Sequence, residues 1–295
     1  MDELDYDVTG QIDQLWIFPI KSCAGISVPQ ARLMRHGLQW DRHWMVVDAD
    51  GEFLTQRSHP RMVLIRPEIT EEHLVLHAPG HSALQIPLLA QGQDCKATVW
   101  SDTVQARDLG EWALPAQQWL SKVLEADCRL VRFDPAQPRQ ASDRWVKKGD
   151  APVHFADGYP LLILSQAAVD DLNQRLARNG AAAVDARRFR PNIVISGLEA
   201  HDEDRVEQLD LLGQSGLSLR PCKPCTRCPI PDIDPDTAIP GEAVGNEIFQ
   251  YRQDPRMDGA ITFGMNAVVQ GLPQEAGASV LLTVGQRLGG QLCFE

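Results

Sequence analysis

No apolar run in this 295-residue chain approaches the roughly 20 residues needed to cross a bilayer, so no membrane partner is expected. The opening residues MDELDYDVTG are acidic and have neither a basic n-region nor an apolar h-region, which argues against a signal or transit peptide and for a cytoplasmic protein. Positive charge is scarce: 28 Lys and Arg against 40 Asp and Glu give a formal net charge of −12. A broad positive field is what draws a protein to nucleic acid or anionic lipid, so no nucleic-acid partner is expected. Any anionic ligand must meet a local cluster of cations. There is no G-x-x-x-x-G-K-[ST], H-E-x-x-H, G-x-G-x-x-G or G-x-S-x-G, and the usual phosphate loops, zincins, dinucleotide folds and hydrolase elbows lose their support. No fixed-period repeat or low-complexity tract is present. The seven cysteines are an odd number in a large chain without a secretion signal, which argues against a disulfide framework and leaves catalysis or metal binding.

What is present reads as a folded, β-rich α+β protein. Apolar residues make up 43% and charged residues 23%. At roughly 100 to 200 residues per domain the length suggests two units. Strand character recurs at 14–18, 43–48, 62–66, 129–133, 161–164, 192–196, 217–220 and 279–284, commonly bounded by Gly, Pro, Asp or Asn. Helical signals are fewer. After Ser165 as N-cap, Val169, Leu172 and Leu176 share one face of a helix that stops at Gly180. A second helix starts near Pro115, with Trp119, Leu120, Val123 and Leu124 on its stripe. Residues 134–152 are polar and Pro-rich and read as a linker or a long loop over a site. The division between units is placed at their start, giving 1–133 and 134–295.

Chemistry concentrates in RPCKPCTRCPIPDIDPDT, residues 220–237, where Cys222, Cys225 and Cys228 are spaced C-x2-C-x2-C. Three thiolates so close can converge on a soft metal. A ferredoxin-type run needs a fourth cysteine four positions later, and Asp232 stands there. His201-Asp202-Glu203 followed by Pro221-Cys222 and Cys225 also fits the H-x-E…P-C-x-x-C pattern of zinc deaminases, but Pro224, Pro229 and Pro231 forbid a regular helix after the cysteines. A third reading makes Cys228 a single working thiolate, favoured by Arg227 and Lys223 nearby and held by a stiff Pro-rich loop. Spacing alone leaves the three readings open.

Four ordered motifs narrow them. FPIKSCAG (18–25), GLQWDRHWMVVD (37–48), the pair FADGYPLLILS (155–165) and RRFRPNIVISG (187–197), and PCTRCPIPDIDPDT (224–237) together resemble the MOSC family, most nearly its mitochondrial amidoxime-reducing components and their bacterial relatives. FQYRQDP (249–255) and TVGQRL (283–288) extend the likeness over nearly the whole chain. The resemblance implies an N-terminal MOSC-associated β-barrel domain and a C-terminal MOSC β-barrel domain with peripheral helices. It also implies a bound molybdenum cofactor (molybdopterin with Mo), in which a pterin dithiolene and a protein cysteine, here Cys228, hold the metal. Lys21, Ser22, Arg42 and Arg190 would meet the pterin or its phosphate. Ala156, Asp157, Gly158 and Tyr159 would line the cofactor, and Thr226 and Arg227 flank the ligand. Lys21, Arg42, Arg190 and Arg227 would supply the local cations that the acidic chain lacks overall.

The activity implied is a molybdenum-dependent reduction of N-hydroxylated small molecules, amidoximes or hydroxylated bases, with Asp157 as candidate proton donor. Some bacterial relatives append a ferredoxin-like domain, and this chain ends soon after TVGQRLGGQLCFE. A separate electron-transfer protein (a ferredoxin, a flavodoxin, or a cytochrome-type protein with its reductase) is therefore the expected partner. A cofactor carrier, maturation or sulfur-handling module is the alternative, and a zinc deaminase or structural zinc protein the less favoured one. Residues 156–159 read ADGY where the mitochondrial relatives carry more hydroxyls, so substrate contacts there are expected to differ.

Overall fold

Half-buried, alternating segments need partners on both edges, and in this chain seven of them close on one another. The computed structural model describes residues 6–137, 139–147, 149–275 and 277–293; the acidic opening residues 1–5 lie outside these. The seven strands are β1 (Val8–Ile17), β2 (Leu161–Ser165), β3 (Ile193–Ser196), β4 (Val206–Leu211), β5 (Ser218–Thr226), β6 (Ala260–Gln270) and β7 (Arg287–Leu292). Their spatial order is β2-β3-β1-β7-β4-β5-β6, and β6 returns to pair with β2, closing the barrel. Closure removes the unpaired edges that an open sheet would present. Every neighbouring pair is antiparallel except β2 with β3. That parallel pair needs a crossover, and helix α2 supplies it. Ile12, Leu15, Ile163, Ile193, Ile195, Leu219 and Leu288 are fully buried in the barrel's core, which excludes water from its interior.

Two further sheets form a second unit. Trp44–Val47, Arg129–Phe133, Asp102–Arg107 and Asp94–Val99 make a four-stranded sheet, and Arg66–Ile69, His73–Ala78 and His81–Pro87 a three-stranded meander. Helix α1 (Ala113–Leu124) lays Ala116, Leu120 and Val123 into a cluster with Ile86, Leu88 and Leu130. It starts two residues ahead of Pro115, the start read from sequence. Helix α2 (Gln166–Arg178) follows the sequence reading closely. Ser165 accepts a hydrogen bond from the Ala168 N–H, Leu172 and Leu176 are buried, and Gly180 turns left-handed at φ +71°. Helix α3 (Ala243–Tyr251) was not anticipated.

Two segments differ from the sequence reading for identifiable reasons. The apolar run at 62–66 was read as a strand, yet Pro60–Leu64 is a 3-10 helix and the strand begins at Arg66. A short apolar run has no period to separate the two, and Pro60 fixes the first φ in the helical range. The cysteine stretch was read as a loop, yet β5 runs through Cys222 and Cys225 to Thr226. Pro221 and Pro224, which have no N–H to give a ladder, sit at two register shifts against β6, where a bulge excuses them.

β1 lies well before residue 134, yet it belongs to the barrel. Besides the short strand Ile26–Val28, its ladder partners are β3 and β7, both from after residue 134. The chain then leaves the barrel at Phe18 and bridges to the second unit, with the Lys21 N–H donating to Trp44 O at 2.9 Å. Residues 18–23 therefore lie at the seam between the two units.

Candidate functional site

At that seam is a cleft of about 150 Å³, partly open to solvent. One wall is barrel: the end of β5 with Cys225, Thr226, Arg227 and Cys228, the start of β2, and the 3-10 turn Ala186–Phe189 that leads through Arg190 into β3. The other wall carries Lys21, Ser22, Asp41, Arg42, Phe53, Thr55 and Arg57, and Ala156–Tyr159 lie between. All eleven residues singled out from the sequence line this one cleft: Lys21, Ser22, Arg42, Ala156, Asp157, Gly158, Tyr159, Arg190, Thr226, Arg227 and Cys228. Six cations and two carboxylates line it, so a net positive cavity sits in a chain of net charge −12.

The cations are held by specific bonds. Phe18 anchors two of them, with the Arg42 guanidinium carbon 4.4 Å and that of Arg190 4.3 Å from its ring centroid. Asp41, buried at the foot of the cleft, accepts from the Phe18 N–H at 2.8 Å and from Arg42 Nη1 at 2.5 and 2.6 Å. Arg42 Nη2 donates to Arg190 O at 3.1 Å, and Arg190 Nη1 to Cys23 O at 2.5 Å. Burial, followed by the charge of Arg42, pushes the Arg190 guanidinium down to about 9. Desolvation is the chief cause, and a bound anion would offset it by favouring the charged guanidinium.

Backbone conformation marks the same residues. Ser22 (φ +67°), Arg42 (φ +48°) and Arg190 (φ +58°) are all left-handed. Such conformations cost a non-glycine residue about 1 kcal/mol or more and persist where the surroundings impose them.

Lys21 is buried and spans the cleft, donating to Phe155 O at 3.0 Å and to Asp157 Oδ1. Burial lowers its pKa against the raising effect of Asp157. The Asp157 carboxyl is exposed, and the Lys21 ammonium, their hydrogen bond and the Trp100 indole hold it below the usual carboxylate range. In this pair Lys21 Nζ donates and Asp157 Oδ1 accepts. Arg227 lines the cleft and is also tied to the backbone. Its guanidinium donates to Phe263 O at 2.9 Å through Nε and to Phe189 O at 3.0 Å through Nη1, so it fastens the Cys228 segment to β6 and to the Arg190 turn.

The aspartates after Cys228 reinforce that fastening. Asp232, where a fourth cysteine would have stood, accepts from the Val244 N–H at 2.9 Å and the Gly245 N–H at 3.0 Å and so caps α3. Asp234 accepts from the Thr237 N–H at 2.9 Å and from Arg188 Nη2 at 3.0 Å. Asp236 takes both Nη atoms of Arg187. RRFR and PDIDPDT, two motifs some 40 residues apart in sequence, thus clamp each other on the segment that follows Cys228.

The three cysteines part company. Cys222 turns away from the cleft into a cluster with Ala141, Val146, Tyr159 and Val268, with Sγ 3.4 Å from Asn266 O. Cys225 lines the cleft with Cys228. Among the described residues no three His, Cys, Asp or Glu side chains gather as a metal site. His201 of the deaminase-like pattern packs against Tyr251 and Phe263 instead.

Glu203, its partner in that pattern, is fully buried beside Ser165, whose N–H donates to Oε1 at 3.1 Å. Burial pushes its carboxyl up to about 7 from 4.5. A raised acid pKa means the folded state holds its proton longer than the unfolded chain. Stability therefore falls as pH rises from 4.5 to 7 and stays lower above that, by about 3 kcal/mol at 1.36 kcal/mol per unit. Glu203→Gln should raise the denaturant midpoint at pH 8.5 and leave it nearly unchanged at pH 4.5; the same gain at both would show that ionisation is not the cause.

Sequence reasoning missed several lining residues. Asp41 and Asn192 stood inside the quoted motifs, one step from Arg42 and two from Arg190. Asn192 stitches three barrel strands, accepting from the Leu162 N–H at 3.1 Å and donating to Trp16 O at 3.2 Å. Phe53 and Arg57 belong to no motif, and only the tertiary fold brings them in.

Comparison with known proteins agrees with this geometry. Residues 9–127 match the MOSC N-terminal beta barrel domain and residues 150–287 the MOSC domain. Mitochondrial amidoxime-reducing component 1 of Mus musculus is 38% identical over 240 residues, 78% of this chain and 67% of that protein. Mitochondrial amidoxime reducing component 2 of Bos taurus is 36% identical over 241 residues, 78% and 68%. Mitochondrial amidoxime-reducing component 1 of Homo sapiens is 35% identical over 259 residues, 83% and 73%.

Proposed function

This chain belongs to the MOSC family, and from that premise we propose that it is a molybdenum-cofactor oxidoreductase that reduces N-hydroxylated small molecules such as amidoximes. The observation that carries the reading is the convergence, in one net-positive cleft, of residues from five separate segments: 21–22, 42, 156–159, 190 and 226–228. The names of its relatives supply the substrate class.

The residues fit the cofactor on chemical grounds. A phosphate needs fixed cations, and the crowded Arg42–Arg190 pair and Lys21 offer them. A soft metal needs a thiolate, and Cys228 stands at the cleft on a clamped segment. When bound, the cofactor supplies a two-electron redox metal with a position open to substrate. The protein's own residues do the rest. Lys21, Ser22, Arg42 and Arg190 would bind and orient the phosphate end, Cys228 would ligate the metal, and Ala156–Tyr159 would close the side between the walls. Converting an amidoxime to an amidine and water consumes two electrons and two protons. Lys21 Nζ holds a proton at the cleft, and Asp157 Oδ1 accepts its hydrogen bond and keeps it aimed. The electrons come from a separate redox protein, in keeping with the word component in the relatives' names.

The test is turnover by cofactor-loaded protein with a reduced viologen as electron source. Benzamidoxime should yield benzamidine, and Cys228→Ala protein should yield none. Cofactor-loaded protein that reduces no amidoxime or N-hydroxylated base would favour the carrier role instead.

A further inference from the structure

Trp100 stands at the tip of the hairpin joining Asp94–Val99 to Asp102–Arg107, with Val99 opposite Asp102 in the ladder. A two-residue tip with left-handed backbone normally takes Asn, Asp or Gly. Here a tryptophan holds φ +58° and leaves 48% of its surface exposed. Strain and exposure together in a large aromatic residue call for a compensating interaction.

The contacts point into the cleft. The Trp100 Nε1–H donates to Asp157 Oδ1 at 3.1 Å, so the indole hangs over the Lys21–Asp157 pair. The Arg57 guanidinium lies 4.6 Å from the indole centroid, and the Phe53 ring meets it edge-on at 5.2 Å. Phe53 in turn lies 5.2 Å from Lys21 Nζ, and Phe53, Arg57 and Asp157 all line the cleft. The hairpin is itself tied down, with the Thr98 N–H donating to Gly51 O at 2.8 Å. An exposed, oriented indole at the mouth of a polar cleft is a surface on which a flat ring can stack.

We propose that Trp100, backed by Arg57 and Phe53, is a specificity-determining platform that selects planar aromatic N-hydroxylated substrates over aliphatic ones by stacking at the cleft mouth. This rests on the reductase reading above. The ring packs on the indole while the N-hydroxyl group points inward past Asp157. Nothing in the arrangement favours an alkyl substrate, which has no π face to offer.

The test compares benzamidoxime with acetamidoxime in wild type, Trp100→Phe and Trp100→Leu. Phe keeps a stacking face and loses the N–H; Leu loses both. The ratio of kcat/KM for the aryl over the alkyl compound should fall about tenfold in Trp100→Leu, mostly through KM, and less than about threefold in Trp100→Phe. Equal losses for both compounds would reduce Trp100 to a structural cover and overturn the proposal, as would an unchanged ratio in Trp100→Leu. An equal fall in both variants would assign the effect to the N–H and also overturn it. Binding of the same two compounds without reductant, read by calorimetry, separates the two readings: an aryl preference lost in Trp100→Leu supports the platform even if no turnover occurs, and no aryl preference in wild type overturns it whatever the activity.

Discussion

Replacing Arg190 with methionine should lower the cofactor content of the purified protein by about tenfold or more, the worth of a charge-assisted hydrogen bond, while the protein stays folded. Methionine keeps an unbranched stem against Phe18 and places a side chain of similar reach at the same left-handed φ, so backbone strain is matched between the two proteins. What is lost is the charge and the bond to Cys23 O. Arg190→Lys keeps the charge without the planar fork and should fall between. Inorganic phosphate binding to cofactor-free protein, measured by calorimetry, should weaken in the same order. Full cofactor content in the methionine variant would mean that the anion is held elsewhere in the cleft.

Arg190 also shows how far the sequence could be read. As an isolated arginine in an acidic chain it is a solvated charge by default. The RPN context and its order among the other motifs brought it forward, and the fold puts it beside Arg42, 148 residues away in the chain. The barrel was legible where strands alternate or run apolar between turn residues, as at 161–164 and 192–196. It was not legible in β5, whose prolines speak against a central strand until bulges are known to excuse them. Nor could local patterning reveal that β1 crosses into a barrel built from the other end of the chain, because ladder partners are a long-range choice. Residue types at the site were readable, but their partners were not. Asp157 stands in the FADGY motif, and only the fold shows that Lys21 and Trp100 both donate to it. Phe53, Arg57 and Trp100 have no motif at all, so the cleft mouth, where substrate would be chosen, was the least visible part.

The second large effect concerns sulfur. Cys222, Cys225 and Cys228 look equivalent in a C-x2-C-x2-C run, and the structure separates them by environment. Burial pushes the Cys222 thiol up to about 11, with its Sγ turned to Asn266 O and an apolar cluster around it. A metal ligand must be a thiolate, so Cys222 is disfavoured twice, by direction and by charge. Cys228 faces the cleft at the end of β5. The Arg227 N–H donates to Ile261 O at 2.9 Å, and its guanidinium grips Phe263 O and Phe189 O. On the other side the aspartate loop is locked to Arg187 and Arg188. This ties down one sulfur in the cleft that the cation pair also lines.

Molybdenum per chain, measured by mass spectrometry on wild type, Cys228→Ala and Cys222→Ala purified side by side from a host that makes the cofactor, tests this most directly. The account predicts molybdenum in wild type, near-complete loss in Cys228→Ala and little change in Cys222→Ala. Wild-type molybdenum content in Cys228→Ala, or equal loss in both variants, would contradict it.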